Sequence, residues 1–124
     1  MSLSEAVLVR SFSQADFDQF ARLSGDDNPI HTDPEYSART HFGRTVAHGL
    51  LLCSVLRGLV DELLPGGTIA EQSVMFPAPT FAGEPMRFSA GIQRTEGTLT
   101  EVNLEVRRVA DGEVTCQGSC EVTA

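Results

Sequence analysis

Residues 45–67 read TVAHGLLLCSVLRGLVDELLPGG, and this stretch decides the fold. From position 49 to position 64 almost every residue is apolar, and the only charges belong to Arg57, Asp61 and Glu62. A helix that is apolar nearly all round has to be enclosed by other structure, because water would otherwise meet its side chains. The Pro-Gly-Gly that follows ends the helix. The stretch therefore predicts one long helix that is covered on all sides.

The chain after this helix alternates between apolar and polar residues, which is the pattern of strands with one buried face. The alternation is clearest over residues 86–93, 101–107 and 114–122. The short, glycine-containing connections between these runs are typical of hairpins. We predict one antiparallel sheet that wraps its apolar face around the helix, which is an α+β arrangement.

Three shorter elements precede the long helix. Residues 5–12 alternate weakly and predict a strand. Ser13 opens a capping-box pattern that begins a helix over residues 14–24. Asp33, followed by a proline, begins a short helix that ends near residue 40. The run SGDDNPIHTD between the two helices is predicted to be a loop, because its glycine, asparagine and proline break a helix.

Size and charge limit the possible functions. The chain has 124 residues, 41% of them hydrophobic, and we interpret residues 1–124 as a single domain. The formal net charge is −8, and an acidic chain without a basic footprint argues against nucleic acid as a partner. So short a chain has little room for both a core and a deep cleft. We therefore expect a homo-oligomer whose subunits complete a site together.

The cysteines and the hydropathy pattern suggest a compartment. The chain has an odd number of cysteines, namely Cys53, Cys116 and Cys120. Cys116 and Cys120 share one face of a predicted strand but are not expected to form a disulfide with each other. We predict free, buried thiols in a reducing compartment. No run reaches the roughly 18 apolar residues of a membrane span, and the N-terminal segment lacks the basic and apolar regions of a signal peptide. We expect a cytoplasmic protein that does not associate with membranes.

Polar residues suited to catalysis are concentrated in the run SGDDNPIH at 24–31. A turn held by Asn28 and Pro29 can direct Asp26 and His31 into one small cavity. A carboxylate and an imidazole that share a water can accept one proton and donate another, which is what hydration of an enoyl thioester requires. Apolar walls around the carboxylate would favour its protonated form and suit this role. The alternative is that Asp26 caps a turn and His31 is a surface residue.

The segment AHG at 47–49 is the second candidate. A glycine that opens a helix leaves the Gly49 N–H pointing outward, where it can hold a thioester oxygen as that oxygen becomes enolate-like. The alternative is a glycine required only by close packing. We predict that His48 packs or forms a hydrogen bond near the helix start and that His41 is a solvated loop residue. No histidine has the spacing of a metal site, so no metal is expected.

Three segments together resemble the MaoC-like, (R)-specific enoyl-CoA hydratase family. The first, SGDDNPIHTDPEYSA at 24–38, is similar to the family signature of Gly-Asp, any residue, Asn-Pro, an aliphatic residue and His. The others are the AHG at 47–49 and FPAPTFAGE at 76–84. The likeness extends from the helix at residue 14 to the last strand.

The resemblance implies a hotdog fold, in which a curved antiparallel sheet surrounds one central helix, paired into a homodimer with active sites at the interface. It implies Asp26 and His31 as the catalytic dyad, and Gly49 and Asn28 as the oxyanion and substrate-binding residues. It also implies the reaction, which is syn addition of water to a trans-2-enoyl thioester to give the (R)-3-hydroxyacyl thioester. An enoyl-CoA is the expected substrate. No metal or redox cofactor takes part in the family's chemistry.

One position departs from the family. Nine residues after His48, some members carry a serine that orders the active site, whereas this chain has Arg57. Either the serine is dispensable, or Ser54, about one turn earlier on the helix, replaces it. The other hypothesis is that Arg57 changes the substrate class by pairing with a carboxylate on the acyl group. Asp61, four residues after Arg57, is an alternative ion-pair partner for it on the solvent-facing side of the helix.

Two rival functions stay open. A hotdog thioesterase would aim a carboxylate at the thioester carbonyl, and the long helix offers only Asp61 and Glu62, at its far end. The other rival is a non-catalytic subunit that binds acyl thioesters. The thioester donor is either CoA or an acyl-carrier protein, although a net charge of −8 disfavours an acidic carrier. The small fold favours short acyl chains.

Overall fold

The computed structural model describes residues 4–124. In chain order its elements are β1 (Glu5–Arg10), α1 (Gln14–Ser24), α2 (Pro29–Thr32), α3 (Pro34–Ala38), α4 (Gly49–Leu63), β2 (Thr68–Met75), β3 (Met86–Glu96), β4 (Leu99–Arg108) and β5 (Val114–Thr123). The first three residues, on which part of the signal-peptide argument depends, lie outside this range. Within residues 4–124, no helix has the length and hydropathy needed to cross a membrane.

The five strands form one antiparallel sheet in the order β1-β3-β4-β5-β2. Gly97 and Thr98 connect β3 to β4, and Gly97 has a φ of 61°, which glycine adopts at little steric cost. In the next hairpin the Arg108 amide donates to the Glu113 carbonyl at 2.8 Å. The predicted hairpins and the α+β class are confirmed.

Helix α4 packs against the inner face of this sheet, mainly on β1, β3 and β4. The side chains that it buries are Leu52, Leu56, Leu59 and Val60. They form one core with residues of the sheet, of α1 and of the segment before α1. Those residues include Phe12, Phe17, Met86, Phe88, Val102, Val106, Cys116 and Cys120. The predicted long helix is therefore confirmed, and one stripe of it builds the core.

The prediction that other structure covers α4 on all sides is wrong for the single chain. Leu50 is 70% exposed, and Ser54, Arg57 and Gly58 on the same side of the helix are also exposed. An apolar pattern indicates that a helix surface is shielded from water. It does not indicate whether the residues that shield it belong to the same chain or to another copy.

Two short helices differ from the prediction. The run SGDDNPIHTD was expected to be a loop, yet it contains the single turn of α2. The reason is that Asn28 and Pro29, which cannot continue α1, are the residues that favour the start of a new helix. Helix α3 begins after Asp33 as predicted, and it ends at Ala38, shortly before the expected position.

The prediction of free, buried thiols is confirmed for Cys116 and Cys120 but not for Cys53, which is only partly buried. Cys116 and Cys120 are buried on the same face of β5, Cys53 is half-buried, and all three are free thiols. Burial raises the pKa of the Cys116 thiol to about 12, so this group stays protonated and unreactive at neutral pH.

The packing of α4 predicts a large effect of truncating Leu56, which is 1% exposed. Leu56→Ala should lower the free energy of unfolding by about 2–5 kcal/mol, because the lost side chain leaves a cavity in the core. The control is Leu23→Ala on α1, where the leucine is 77% exposed and the expected change is below about 0.5 kcal/mol. Urea unfolding followed by circular dichroism measures both. Similar losses in the two variants would contradict this packing.

Candidate active site

The loop between α1 and α2 turns sharply twice. Gly25 ends α1 in the left-handed conformation with a φ of 80°. Asn28 then caps α2, because its side-chain oxygen accepts the backbone N–H of Ile30 at 3.0 Å. These local preferences bring Asp26, in the loop, and His31, in the single turn of α2, face to face.

The two side chains lie close enough to share one small molecule. His31 Nε2 is 3.7 Å from Asp26 Oδ2, and His31 Nδ1 is 2.8 Å from the carbonyl oxygen of Val46. A carbonyl oxygen only accepts hydrogen bonds, so Nδ1 carries a proton, and in the neutral tautomer that this bond selects Nε2 presents a lone pair to the carboxylate. A separation of 3.7 Å is too long for a direct hydrogen bond. Two acceptors therefore face the same space.

The expectation of apolar walls around Asp26 is wrong for the single chain. The Asp26 side chain is 57% exposed, whereas that of His31 is 14% exposed. Solvent therefore reaches the pair from the side of the carboxylate.

His48 lies behind the pair and is only 2% exposed. Its Nε2 donates to the backbone carbonyl of Asp26 at 2.9 Å. Its ring stacks on that of His31 with centroids 3.8 Å apart and planes at 21°, and it meets the Phe20 ring edge-on at 4.9 Å. The prediction that His48 packs or forms a hydrogen bond is confirmed. His48 was not predicted as a site residue, because nothing in the spacing connects position 48 to positions 26 and 31.

The protonation of His48 follows from these contacts. Burial is the largest influence and lowers the pKa of His48 below its ordinary value of 6.5, and the neighbouring His31 acts in the same direction. Because Nε2 is the donor, Nδ1 of the neutral ring is an acceptor. Within residues 4–124, that buried atom has no hydrogen-bond partner. His48 is therefore a neutral, buried ring with one nitrogen unsatisfied.

Asp26, His31 and His48 each offer a possible metal-ligand atom, and these atoms lie within 4.8 Å of one another. Sequence spacing did not predict this grouping, because the three residues meet only in the folded chain. One carboxylate and two imidazoles form a donor set suited to Zn²⁺ and similar ions. A cation bound there would compete with water for the lone pairs of Asp26 and His31.

A cavity of about 390 Å³ adjoins the start of α4. Its lining comes from the loop before α4, from α4, from the turn after β2 and from β5, and consists of Phe42, Val46, Ala47, Gly49, Leu52, Phe76, Pro77, Ala78, Pro79, Thr80 and Thr115. Asp26 and His31 do not line it themselves. Val46 does, and its carbonyl holds His31, so the cavity and the pair are adjacent.

Gly49 lines this cavity as the first residue of α4. A Cβ atom at this position would lie 2.7 Å from Cζ of Phe76, so a larger residue here would require the Phe76 ring, which is 46% exposed, to shift. Within residues 4–124, the Gly49 N–H has no hydrogen-bond acceptor, as is usual for the first amide of a helix. Gly49 therefore has both a close contact with Phe76 and an unpaired N–H.

A buried guanidinium that the sequence analysis did not single out anchors the outer wall of the cavity. Arg108 is 8% exposed and donates to the Pro79 carbonyl at 3.1 Å and to Glu84 Oε1 at 3.1 Å. Its Nη1 also donates to Asp111 and Glu113 in the hairpin turn that follows. The only sequence signal is an arginine followed closely by two acidic residues, and such patterns are common on surfaces.

Arg57 and Ser54 lie on the exposed side of α4. Arg57 Nε donates to Asp61 Oδ1 at 3.2 Å, which confirms the predicted pair, and the Ser54 hydroxyl donates to the Leu51 carbonyl at 2.7 Å. Arg57 lies about 12 Å along the helix from its first residue. Within residues 4–124, no hydrogen bond joins either side chain to Asp26.

Comparison with known proteins places this geometry in context. A family model described as the MaoC like domain matches residues 4–114. The chain is 44% identical over 82 residues to an (R)-specific enoyl-CoA hydratase of Aeromonas caviae, a stretch that is 64% of this chain and 61% of that relative. It is 31% identical over 122 residues to a 3-hydroxybutyryl-CoA dehydratase of Methylorubrum extorquens, covering 94% of this chain and 70% of the relative.

A solved structure supports the same comparison. An (R)-hydratase from A. caviae involved in PHA biosynthesis superposes with a TM-score of 0.90 at 30% identity, covering 99% of this chain and 96% of that one. The hotdog fold expected from the resemblance is confirmed.

The lowered pKa of His48 predicts how stability depends on pH. Above its ordinary value of 6.5, His48 is neutral in both the folded and the unfolded chain. Below that pH the unfolded chain takes up the proton first, so the free energy of unfolding falls as the pH drops toward the lowered pKa. In urea titrations from pH 7 to about pH 5, His48→Gln should lose less stability than the wild type. The control His41→Gln, at an exposed histidine, should lose as much as the wild type. Identical pH dependence in all three proteins would contradict the prediction.

Proposed function

Because this chain belongs to the MaoC-like dehydratase family, we propose that it is a hydratase that adds water reversibly across the 2,3-double bond of a trans-2-enoyl thioester. The product is the (R)-3-hydroxyacyl thioester. The observation that most supports this proposal is the facing pair of Asp26 and His31, 3.7 Å apart, with the His31 ring held by the Val46 carbonyl. Such a pair is suited to orienting one water molecule.

The two acceptors suggest how that water is activated. A water between them donates one hydrogen to His31 Nε2 and the other to Asp26 Oδ2, so its oxygen lone pair is free to attack C3. As the C3–O bond forms, a water O–H bond breaks and the dyad takes the proton. The π electrons move to C2 and the thioester oxygen. The dyad then returns a proton to C2, which restores its starting state, and dehydration follows the reverse course.

Gly49 is proposed as the donor that stabilises the developing negative charge. Its N–H is unpaired within the described chain and lies at the positive end of a 15-residue helix. A preorganised donor of this kind lowers the barrier most when it is aimed at charge that develops in the transition state. Asn28 was assigned to substrate binding, but its side-chain oxygen is used to cap α2. We therefore propose that it positions His31.

Short-chain acyl-CoA is the proposed substrate. The cavity beside Gly49 has a volume of about 390 Å³, which suits a short acyl group. Both sequence relatives named above are described as acting on CoA thioesters. An acidic acyl-carrier protein is the less favoured donor, because a chain with a net charge of −8 repels it. No metal or redox cofactor is required by the proposed steps.

We also propose that the enzyme works as a cytoplasmic homodimer. The exposed carboxylate of Asp26 and the exposed side of α4, where Leu50 is 70% exposed, both suit cover by a second copy. Removing water from the open side of the dyad would strengthen every electrostatic interaction within the site. The free thiols of the chain suit a reducing compartment.

The structure offers little support for the two rival functions. A thioesterase would need a carboxylate aimed at the thioester carbonyl, and the acidic residues of α4 lie at its far end, where Asp61 is paired with Arg57. A non-catalytic binding subunit has no need for two acceptors facing one space. Neither rival accounts for the Asp26–His31 geometry.

The proposal predicts that Asp26→Asn and His31→Ala each lower kcat/KM for hydration of crotonyl-CoA by about 10²–10⁴-fold. The double variant should be scarcely less active than the worse single variant, because groups that act as a unit give non-additive losses. Loss of the enoyl absorbance measures hydration, and a thiol reagent measures release of CoA. Circular dichroism and light scattering check that fold and assembly are unchanged.

Three outcomes of that experiment would overturn the proposal. Release of free CoA without loss of the enoyl absorbance would identify a thioesterase. A wild type that binds crotonyl-CoA without converting it would identify a binding subunit. Near-normal hydration by a folded His31→Ala variant would remove the dyad from the mechanism.

The hypothesis that Arg57 or Ser54 modulates the substrate has its own test. Because the Arg57 guanidinium is bound by Asp61 and 46% exposed, we expect Arg57→Ser to leave the preference for crotonyl-CoA over a carboxylated enoyl-CoA within about twofold of the wild type. The ratio of kcat/KM values measures this preference, and Ser54→Ala serves as the comparison. A loss of turnover of the carboxylated substrate alone would instead support the hypothesis.

A further inference from the structure

His48 touches both members of the proposed dyad. Through Nε2 it donates to the backbone carbonyl of Asp26 at 2.9 Å, and through its ring face it supports His31 at 3.8 Å. It also precedes Gly49, and its own carbonyl accepts the first hydrogen bond of α4, from Leu51 N at 3.1 Å. The His48 side chain thus contacts both members of the dyad, and its backbone leads directly into Gly49.

The loop that carries Asp26 has few other attachments. Residues 24–29 are all exposed, and the hydrogen bonds of their backbone are mostly to near neighbours, such as Asp26 N to Ser24 Oγ at 3.1 Å. Within the described chain, the bond from His48 is the only one that ties residues 25–28 to a distant part of the fold. Without it, the carboxylate would be held only by a short exposed loop.

The unsatisfied Nδ1 of His48 supports a functional reason for the imidazole. A buried acceptor without a donor destabilises a fold, because it has lost its hydrogen bond to water. A phenylalanine at this position would also offer an aromatic ring to Phe20 and His31, and it would carry no unsatisfied atom. What phenylalanine cannot do is donate to the Asp26 carbonyl.

We propose that His48 is a positioning residue for the hydration reaction: its Nε2–H bond to the Asp26 carbonyl and its stacking under His31 fix the separation of the two dyad side chains. This inference rests on the proposed function. His48 exchanges no proton with the substrate, because its ring is 2% exposed and its one N–H is engaged. Its effect is therefore on kcat, through the geometry that the bound water meets.

The matched variants are His48→Gln and His48→Met. Their side chains are similar in length, but only the glutamine amide can donate to the Asp26 carbonyl. We expect His48→Gln to keep kcat for crotonyl-CoA within about tenfold of the wild type and His48→Met to lower it by about 10²-fold, as a misplaced catalytic group does. KM should stay within about threefold in both. His41→Met, at an exposed histidine, should leave both constants unchanged.

The outcomes separate this inference from the function on which it rests. Equal kcat values for the folded glutamine and methionine variants would overturn the positioning role, as would a loss in His48→Met that appears only in KM. If the methionine variant does not fold, His48→Phe takes its place, since it keeps the ring and removes the donor. Failure of the proposed function has a different signature, because then the wild type does not hydrate crotonyl-CoA or a folded Asp26→Asn variant does.

Discussion

The contact between one stripe of α4 and the inner face of the sheet fixes the position of everything else in this molecule. Leu52, Leu56, Leu59 and Val60 are buried against side chains from the strands, so the helix cannot slide or rotate without opening the core. Because the core holds the helix, it also holds the first residue, Gly49, at a defined place beside the turn that follows β2. The cavity at that end of the helix is a consequence of core packing.

Starting from Gly49, a few contacts between distant segments hold the site together. The His48 ring is buried at the entry to α4, and the exposed loop of Asp26 and the half-buried ring of His31 are both attached to it. The opposite wall of the cavity is tied to the sheet through Arg108, which is shared among Pro79, Glu84 and two acidic residues. Exposed groups are thus held by buried ones, which is how a small domain without a deep cleft can keep a defined site geometry.

Local signals in the sequence predicted most of the fold. The capping box at Ser13, the glycine of the β3–β4 turn and the apolar alternation of the strands each have a nearby cause, and each prediction is confirmed. The Asp26–His31 pair was predictable because the two residues are only five positions apart, across one turn. The role of His48 and the anchoring by Arg108 were not predictable, because both depend on contacts between distant segments. The exposed side of α4 was misjudged for a related reason, since a hydropathy pattern records that a surface is apolar but not which molecule covers it.

The chain order of the proposed chemical groups has an evolutionary consequence. Asp26, His31, His48 and Gly49 all precede β2, whereas the turn that closes the cavity, residues 76–80, follows it. The segment that carries the proposed acid–base groups is therefore separate from the segment that forms the outer wall of the cavity, although residues before β2 also line it. Substitutions in residues 76–80 can therefore reshape one wall of the cavity without replacing the proposed acid–base groups, so related domains can come to accept different ligands while they keep the same site residues.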